Sequence, residues 1–351
     1  MTPAPTMVGL TAVIVAVTEE VPRVLVVERP LDNPRDAVSV ATGAEDGQSL
    51  QGLPAGPFEP DVHASLDRGL RSWVKEQTGM QLRYVEQLYT FGNRYRDPGE
   101  IRGGPRLLTV AYLALTHECC VAGFGGAQWR DCYQFLPWED WRAGRPQIVD
   151  VALEPGLQRW IRASRDPDIR RLREERVTLC FGPLSAHRRD PVLALERYEV
   201  LYEAGLVAEA HRDRASRLAA TGAAAVDCPA PLISEESSLL GLSMACDDRR
   251  IVATALARLR GKLAYRPLVF ELLAEEFTLF QLQQVVEALA GMRLHKQNFR
   301  RMIMHAALVE ATGRTQPTAR GRPAELYRFS RDVMRTRSGV GLGLPTIRAS
   351  E

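Results

Sequence analysis

The chain has 351 residues, of which 45% are hydrophobic and 25% charged. That is enough for two domains, or two and a connector, and it excludes a disordered, collagenous or disulfide-scaffold protein. With 45 Lys and Arg against 43 Asp and Glu the net charge is only +2, so a surface for a polyanion has to be local.

Six cysteines (Cys119, Cys120, Cys132, Cys180, Cys228 and Cys246) are scattered with no CxxC pair, which fits a reducing cytoplasm. The apolar run Val8 to Val17 has no basic segment before it and is followed by Glu19 and Glu20. It reads as a buried strand, not a signal peptide or a membrane span.

In chain order, Val8 to Val17 and Val24 to Val27 are β-branched runs separated by Glu19-Glu20-Val21-Pro22, which predicts a hairpin of buried strands. Residues 31–60 are rich in Gly, Pro, Asp and Asn and read as a long irregular loop with one short strand, Ala37 to Ala41. Val62, Leu66, Leu70, Trp73 and Val74 repeat at helical spacing up to Gly79, a C-cap. Strands are expected at Leu82 to Phe91, Arg106 to His117 and Cys132 to Leu136, with a short helix near Trp138 to Ala143. A helix among such strands makes an α+β fold, a sandwich ending near Ser164.

Residues 165–245 read as a helical connector. Its first helix, Asp166 to Arg176, alternates Arg and Glu as a solvated face does. Two more follow, Pro191 to Ala204 and Val207 to Ala219, and then a mobile segment around Thr221 to Glu236. From Asp247 a helix carrying Ile251, Ala255, Leu256 and Leu259 runs to Gly261.

The stretch from Phe277 to Phe329 has the layout of a winged helix-turn-helix. Thr278 and Gln281 form a capping box, Leu279, Leu282, Val285, Val286 and Leu289 make the apolar face, and Gly291 supplies the stop. A second helix opens at His295 and is expected to run to about Ala311, burying Phe299, Ile303, Ala306 and Ala307, with Gly313 as its end. Lys296, Gln297, Asn298, Arg300 and Arg301 are then the recognition candidates: Lys and Arg reach phosphates and guanine edges, and Gln and Asn fit adenine. Asn298 also suits a phosphate contact or a cap. A loop and strand follow as the wing, carrying Arg314, Arg320 and Arg322. Arg320-Gly321-Arg322-Pro323 suits either a narrow minor groove or phosphates alone. From Arg293 to Arg337 there are eleven Lys and Arg against three acidic residues, a one-sided field for double-stranded DNA.

Two weaker signals carry less. His117, Cys119 and Cys120 read as buried thiols at a strand end sooner than as a metal site. Gly339, Gly341 and Gly343 have no strand before or helix after them, and they belong to a flexible tail.

The chain resembles the Nudix-related transcriptional regulators of NAD metabolism, the NrtR type, and within them the longer NadQ branch. The resemblance rests on Tyr84 to Gly92 with Arg96-Asp97-Pro98, on Ala257 to Lys262, and on Leu294 to Arg301 with Gly321 to Ala324. The strand around Val110 to Leu115 adds to it. It implies four parts: a Nudix-like α/β/α sandwich over 1–164 that senses an effector, a connector over 165–245, a winged helix-turn-helix over 246–335 and a tail over 336–351.

A catalytic Nudix motif needs Gly, five residues, Glu, seven residues and then Arg-Glu-apolar-x-Glu-Glu-x-Gly, because carboxylates on one helix face hold divalent cations against a diphosphate. With Gly79 as the last glycine, Ala64, Ser72, Trp73, Glu76 and Gln77 occupy the upstream Glu, Arg-Glu and Glu-Glu positions. Only Glu76 keeps a carboxylate, so no enzyme activity, metal or required cofactor is expected.

The resemblance assigns the sandwich a nucleotide of the NAD cycle (NAD, ATP or ADP-ribose) near Phe91, Arg96 and Asp97, with an aromatic to stack and an Arg for phosphate. Phe91 as core and Arg96-Asp97-Pro98 as a turn is the competing reading. The expected function is a homodimeric repressor of NAD biosynthesis genes on a pseudo-palindromic operator, cytoplasmic and without a membrane partner. The alternatives are an active hydrolase of ADP-ribose-like substrates, a related regulator of sugar catabolism, and a nucleic-acid binder without sequence preference.

Overall fold

The computed structural model describes residues 5–29, 50–93, 100, 104–118, 126–182, 190–221, 240–263, 268–317 and 323–330. The readings for Ala37 to Ala41, Cys119 and Cys120, the segment around Thr221 to Glu236 (from 222 onward) and the tail lie outside them.

Strand β1 (Thr6–Thr18) is the centre of a mixed sheet. On one edge it runs parallel to β6 (Arg106–Leu115), which pairs antiparallel with β5 (Tyr84–Phe91). On the other edge β1 meets β2 (Val21–Arg29) at one end and β4 (Ala55–Pro57) at the other, both antiparallel. Strands β3 (Leu50–Gly52) and β7 (Gln128–Asp131) both pair with β2. The β1–β2 hairpin stands as its sequence predicts, and Glu19 and Glu20 take positive φ of 50° and 64° at its tip, the primed-turn geometry that matches strand twist.

Both faces of β1 are covered, which is why Leu10 to Ala16 are all buried. Side chains alternate between faces at period two. Leu10, Ala12 and Ile14, with Val110, Tyr112 and Ala114, pack under Leu70 and Val74 of α1 (Leu66–Thr78). Val13 and Val15, with Ala111, Leu113 and Leu115, join a second core that continues into the helices and the winged helix. Helix α1 starts at Ser65, whose side chain accepts from Arg68 N–H, and stops at left-handed Gly79.

The segment Cys132 to Leu136 is a helix and not the expected strand. Helix α2 (Cys132–Phe135) is capped by Asp131, which accepts from Tyr133 N–H at 2.9 Å. Cys132, Tyr133, Phe135 and Leu136 are buried and Gln134 alone is exposed, and a run of five residues is too short for its period to separate strand from helix; the cap was the signal. A 3-10 turn (Pro137–Glu139) follows, and then a π-helical turn (Val149–Leu153) leads into α3 (Glu154–Ala163). The connector continues with α4 (Pro167–Phe181), α5 (Ala194–Glu203) and α6 (Ala208–Thr221).

Helix α7 (Asp248–Leu263) continues past Gly261. It packs on β1 and β5 as well as on α5 and α8 (Leu279–Ala290). Lys262 pairs with Glu86 of β5, and Arg258 donates to Leu88 O at 3.2 Å. The helix therefore covers the second face of the sheet and carries the winged helix on its other side.

Candidate nucleic-acid interface and its coupling to the sheet domain

Helix α8 forms as its residues dictate. Thr278 and Gln281 make the reciprocal capping box, and Gly291 ends the helix at φ 68°. Helix α9 (Lys296–His305) is shorter than expected. Ala307 adopts φ 52° and turns the chain into β8 (Val309–Gln316), so Ala307 is exposed while Leu308 and Val309 are buried. Gly313, read as the helix stop, sits instead in β8 at φ 74°, where the pairing with β9 (Ala324–Phe329) slips between Ala311 and Thr315. A bulge needs that conformation as much as a helix end does.

Phe277 exchanges both backbone hydrogen bonds with Tyr327, at 2.9 and 2.8 Å, which adds a third chain to the wing. Phe270 stacks on Phe329 with centroids 4.4 Å apart and lies 5.5 Å from Phe277. This aromatic cluster sets the angle of the wing against α8.

With Phe299 and Ile303 buried, Lys296, Gln297, Asn298, Arg300 and Arg301 are all exposed along α9. Asn298 Oδ1 accepts from Arg301 Nη2 at 3.3 Å, so these two side chains orient one another. Arg314 on β8 is exposed and paired with Glu276. Arg320 and Arg322 lie outside the described residues. A cavity of about 510 Å³ opens along the flank of α9 between Leu294, Phe299, Met302 and the two histidines His295 and His305.

Helix α8 and the turn before α9 both meet the tip of the β1–β2 hairpin at Glu20. Arg293 Nη1 bridges Glu20 Oε2 and Glu287 Oε2, each at 2.8 Å. Gln284 donates to the Glu20 carboxylate, and Arg142 donates to its backbone carbonyl. The hydrogen bond from Arg293, helped by that from Gln284, holds the Glu20 carboxyl below its ordinary range. A depressed carboxylate supports the folded state above its unfolded pKa and loses that support as pH falls through the lower folded value. In a pH titration from neutral to acid, wild type is therefore expected to lose a small increment of stability below about pH 4.3, the ordinary Glu pKa, that Glu20→Gln does not lose. Coincident curves would remove the latch.

A second junction is fully buried. Glu139, Arg197 and Arg260 are each at most 1% exposed. Arg197 Nη2 donates to Glu139 Oε2 at 3.0 Å, and Arg260 Nη1 donates to the same oxygen. Arg260 Nε reaches Leu289 O in the last turn of α8 at 2.9 Å, and Tyr133 hydroxyl reaches Ala288 O at 2.6 Å. Trp141 N–H donates to Gly291 O at 2.8 Å. Burial pushes the Tyr133 phenol up to about 12, so it stays a neutral donor. The C-terminal carbonyls of α8, unsatisfied within the helix, are thus satisfied by the sheet domain and by α7.

A third buried pair, Glu209 with Arg249 at 3.2 Å, ties α6 to the first turn of α7, and Arg249 Nε joins both to α2 by donating to Phe135 O at 2.7 Å. None of these pairings had a signal in the sequence. Glu139 and Arg260 are 121 positions apart.

The Nudix-motif positions on α1 have other occupants. Trp73 Nε1 donates to Pro57 O at 2.8 Å, and its indole lies across Gly56, where a Cβ would come within 2.3 Å of it. Gln77 clasps both backbone groups of Ala55, accepting from N–H at 3.1 Å and donating to O at 2.7 Å. A carboxylate has no proton for the second bond, so Gln77 fastens β4 in a way that Glu does not. Glu76 and Ala64 are exposed. Among the described residues no group of three His, Cys, Asp or Glu is placed to hold a metal ion.

Phe91 at the end of β5 is 5% exposed, within the second core, and meets Tyr89 edge-on at 5.1 Å. Arg96 and Asp97 lie outside the described residues. Among those described, no helix is long and apolar enough to cross a membrane.

Residues 269–329 match the family model described as the NrtR DNA-binding winged helix domain. A curated relative, the ADPR responsive transcriptional repressor NtrR of Acinetobacter baylyi, is 37% identical over 91 residues, 26% of this chain and 36% of the relative. The match therefore spans only about a third of that protein's length. Among solved structures, Shewanella oneidensis NrtR complexed with a 27mer DNA aligns with a TM-score of 0.51 at 20% identity, covering 93% of this chain and 95% of that one. A second crystal structure of Shewanella oneidensis NrtR gives 0.49 at 20% identity, with the same coverage. The C-terminal domain is accordingly an NrtR-type DNA-binding winged helix, and the chain has the two-part fold of the Nudix-related NrtR regulators.

Proposed function

We propose that the protein is a homodimeric transcriptional repressor of NAD biosynthesis genes that reads a pseudo-palindromic operator, with ADP-ribose as its signal. The observation that carries this reading is the match of residues 269–329 to the NrtR winged helix, on which Lys296, Gln297, Arg300 and Arg301 stand exposed together. Arg314 adds a wing contact, with Arg320 and Arg322 assigned to the same role. ADP-ribose is chosen over NAD and ATP because the curated relative is named as ADPR responsive. Phe91, Arg96 and Asp97 remain the proposed effector contacts.

The sheet domain does not hydrolyse its nucleotide in this account. Trp73 and Gln77 occupy two carboxylate positions of the motif and fasten β4 there. Magnesium-dependent turnover of ADP-ribose is the observation that would restore the hydrolase alternative.

Base readout is tested by titrating labelled promoter DNA of NAD biosynthesis genes and scrambled DNA at one fixed salt. Arg300→Ala is expected to lose about 1–3 kcal/mol of binding concentrated at particular operator positions. An equal loss on every sequence, with steep salt dependence on both DNAs, would leave only a basic surface.

A further inference from the structure

Helix α9 carries one apolar residue on its exposed side. Met304 is 54% exposed, and every other exposed residue of that helix is polar or charged. A lone exposed apolar residue is ordinary on a surface, but this one has a particular place. Phe299 and Ile303 fix the buried side of α9. At about 3.6 residues per turn, Gln297, Arg301 and Met304 fall within about 60° of one another on the opposite side. Gln297 and Met304 are one heptad apart and point within about 20° of each other. The backbone there is fixed as well, since Met304 O accepts from the N–H of left-handed Ala307 at 3.2 Å.

We propose that Met304 reads a thymine in the operator by packing its thioether chain on the 5-methyl group in the major groove. This rests on the reading of α9 as the recognition helix and adds to it a residue that sets specificity. A methionine has no donor for a phosphate and no donor–acceptor pair for a base edge. The apolar feature that base edges show in the major groove is the thymine methyl, which separates thymine from cytosine. The unbranched side chain, with three rotatable bonds, can adapt to it. From Gln297 to Met304 the helix rises about 10 Å, roughly three base-pair steps of 3.4 Å. Gln297, suited to adenine, and Met304, suited to thymine, therefore fall within one short run of base pairs.

The charge around Met304 says what covers it. Lys296, Arg300 and Arg301 share the helix with it, and α9 has no acidic residue, so the complementary surface is a polyanion with apolar groups within reach. The domain matches a DNA-binding winged helix, and double-stranded DNA is a polyanion that offers such a group at each thymine.

The test is a deoxyuridine scan with the full chain. The promoter segment of NAD biosynthesis genes that wild type protects from nuclease is synthesised with each thymine in turn replaced by deoxyuridine, which removes the methyl and keeps every hydrogen-bonding group. Wild type is expected to lose about four-fold in affinity at one thymine per bound recognition helix, the worth of burying one such carbon. Met304→Ala keeps the helix, since alanine is the best helix former. It is expected to lose a similar factor on the thymine duplex, to ignore deoxyuridine at that same position and to bind scrambled DNA as wild type does. A deoxyuridine effect that persists in Met304→Ala, or a wild type indifferent to every replacement, would overturn the proposal. An equal loss on scrambled DNA would do so too, since that is a sugar–phosphate contact. A wild type that prefers its operator but ignores the methyls fails only this proposal. One that protects no segment and binds promoter and scrambled DNA alike fails the recognition-helix reading along with it.

Discussion

Glu139→Gln is expected to cost about 3–5 kcal/mol of folding stability, the range for removing one partner from a buried ion pair. The substitution keeps the shape of the side chain and removes the charge that Arg197 and Arg260 share, leaving two guanidinium groups at no more than 1% exposure without a counter-ion. Urea unfolding would show the midpoint shift. A buried ion triad can often be replaced by apolar residues of similar volume without loss, and that escape is closed here. The two arginines also donate to the carbonyls of Cys180, Asp190, Pro191, Glu139 and Leu289. Replacing all three residues by apolar ones strands those acceptors, so the triple variant is expected to remain clearly below wild type. A triple variant as stable as wild type would show that the carbonyl contacts contribute nothing.

Gly291→Ala is expected to be the second most damaging single change, at about 2–4 kcal/mol, the sum of left-handed strain of roughly 1 kcal/mol and overpacking of about 1–3 kcal/mol. At φ 68° the residue is left-handed. An added Cβ would also lie 2.3 Å from Glu139 O, 2.7 Å from Arg260 Nη2 and 2.9 Å from Tyr133 hydroxyl. Two of these three belong to the sheet domain. The cost is therefore paid at the junction and not only in α8, and the variant should separate α8 from Glu139 as well as destabilise it. Gly313→Ala is the control, since that glycine is also left-handed at φ 74° but a Cβ there meets nothing within 4 Å. It should show the strain without the clash. Equal midpoints for the two variants would mean that the close approach of Glu139 is unimportant.

These two expectations describe one device. Helix α8 ends on donors supplied by Tyr133, Trp141 and the Glu139-bound Arg260, and the turn before α9 is held by Glu20, whose own carbonyl accepts from Arg142 within the sheet domain. Helix α9 is thereby tied to the sheet domain through α8 and Arg293. A ligand that binds one arrangement of the sheet domain more tightly shifts the orientation of α9 by that difference in affinity, and by no more than that.

The sequence made some of this legible and hid the rest for identifiable reasons. Helix α8 could be read to the residue because its start, apolar face and stop are all local signals, in Thr278, Gln281 and Gly291. The end of α9 was misplaced because Gly313 serves a helix stop and a strand bulge equally well, while the actual turn uses Ala307, a residue seldom left-handed. Before and along α1 the loss of carboxylates at 64, 73 and 77 was plain from spacing. That Trp73 and Gln77 had taken up the fastening of β4 was not, since β4 is three residues long and had no pattern of its own. The Glu139 junction was invisible because its members come from three separate parts of the chain, and buried charge looks like surface charge in a sequence.

The most direct test of the account is an operator titration at fixed salt with and without ADP-ribose, run on wild type and on Glu20→Gln. The account predicts that ADP-ribose changes wild-type operator affinity and leaves binding to scrambled DNA unchanged, and that loosening the Glu20–Arg293 contact diminishes the change. Operator affinity identical with and without the nucleotide, in a protein that binds the nucleotide, would contradict it.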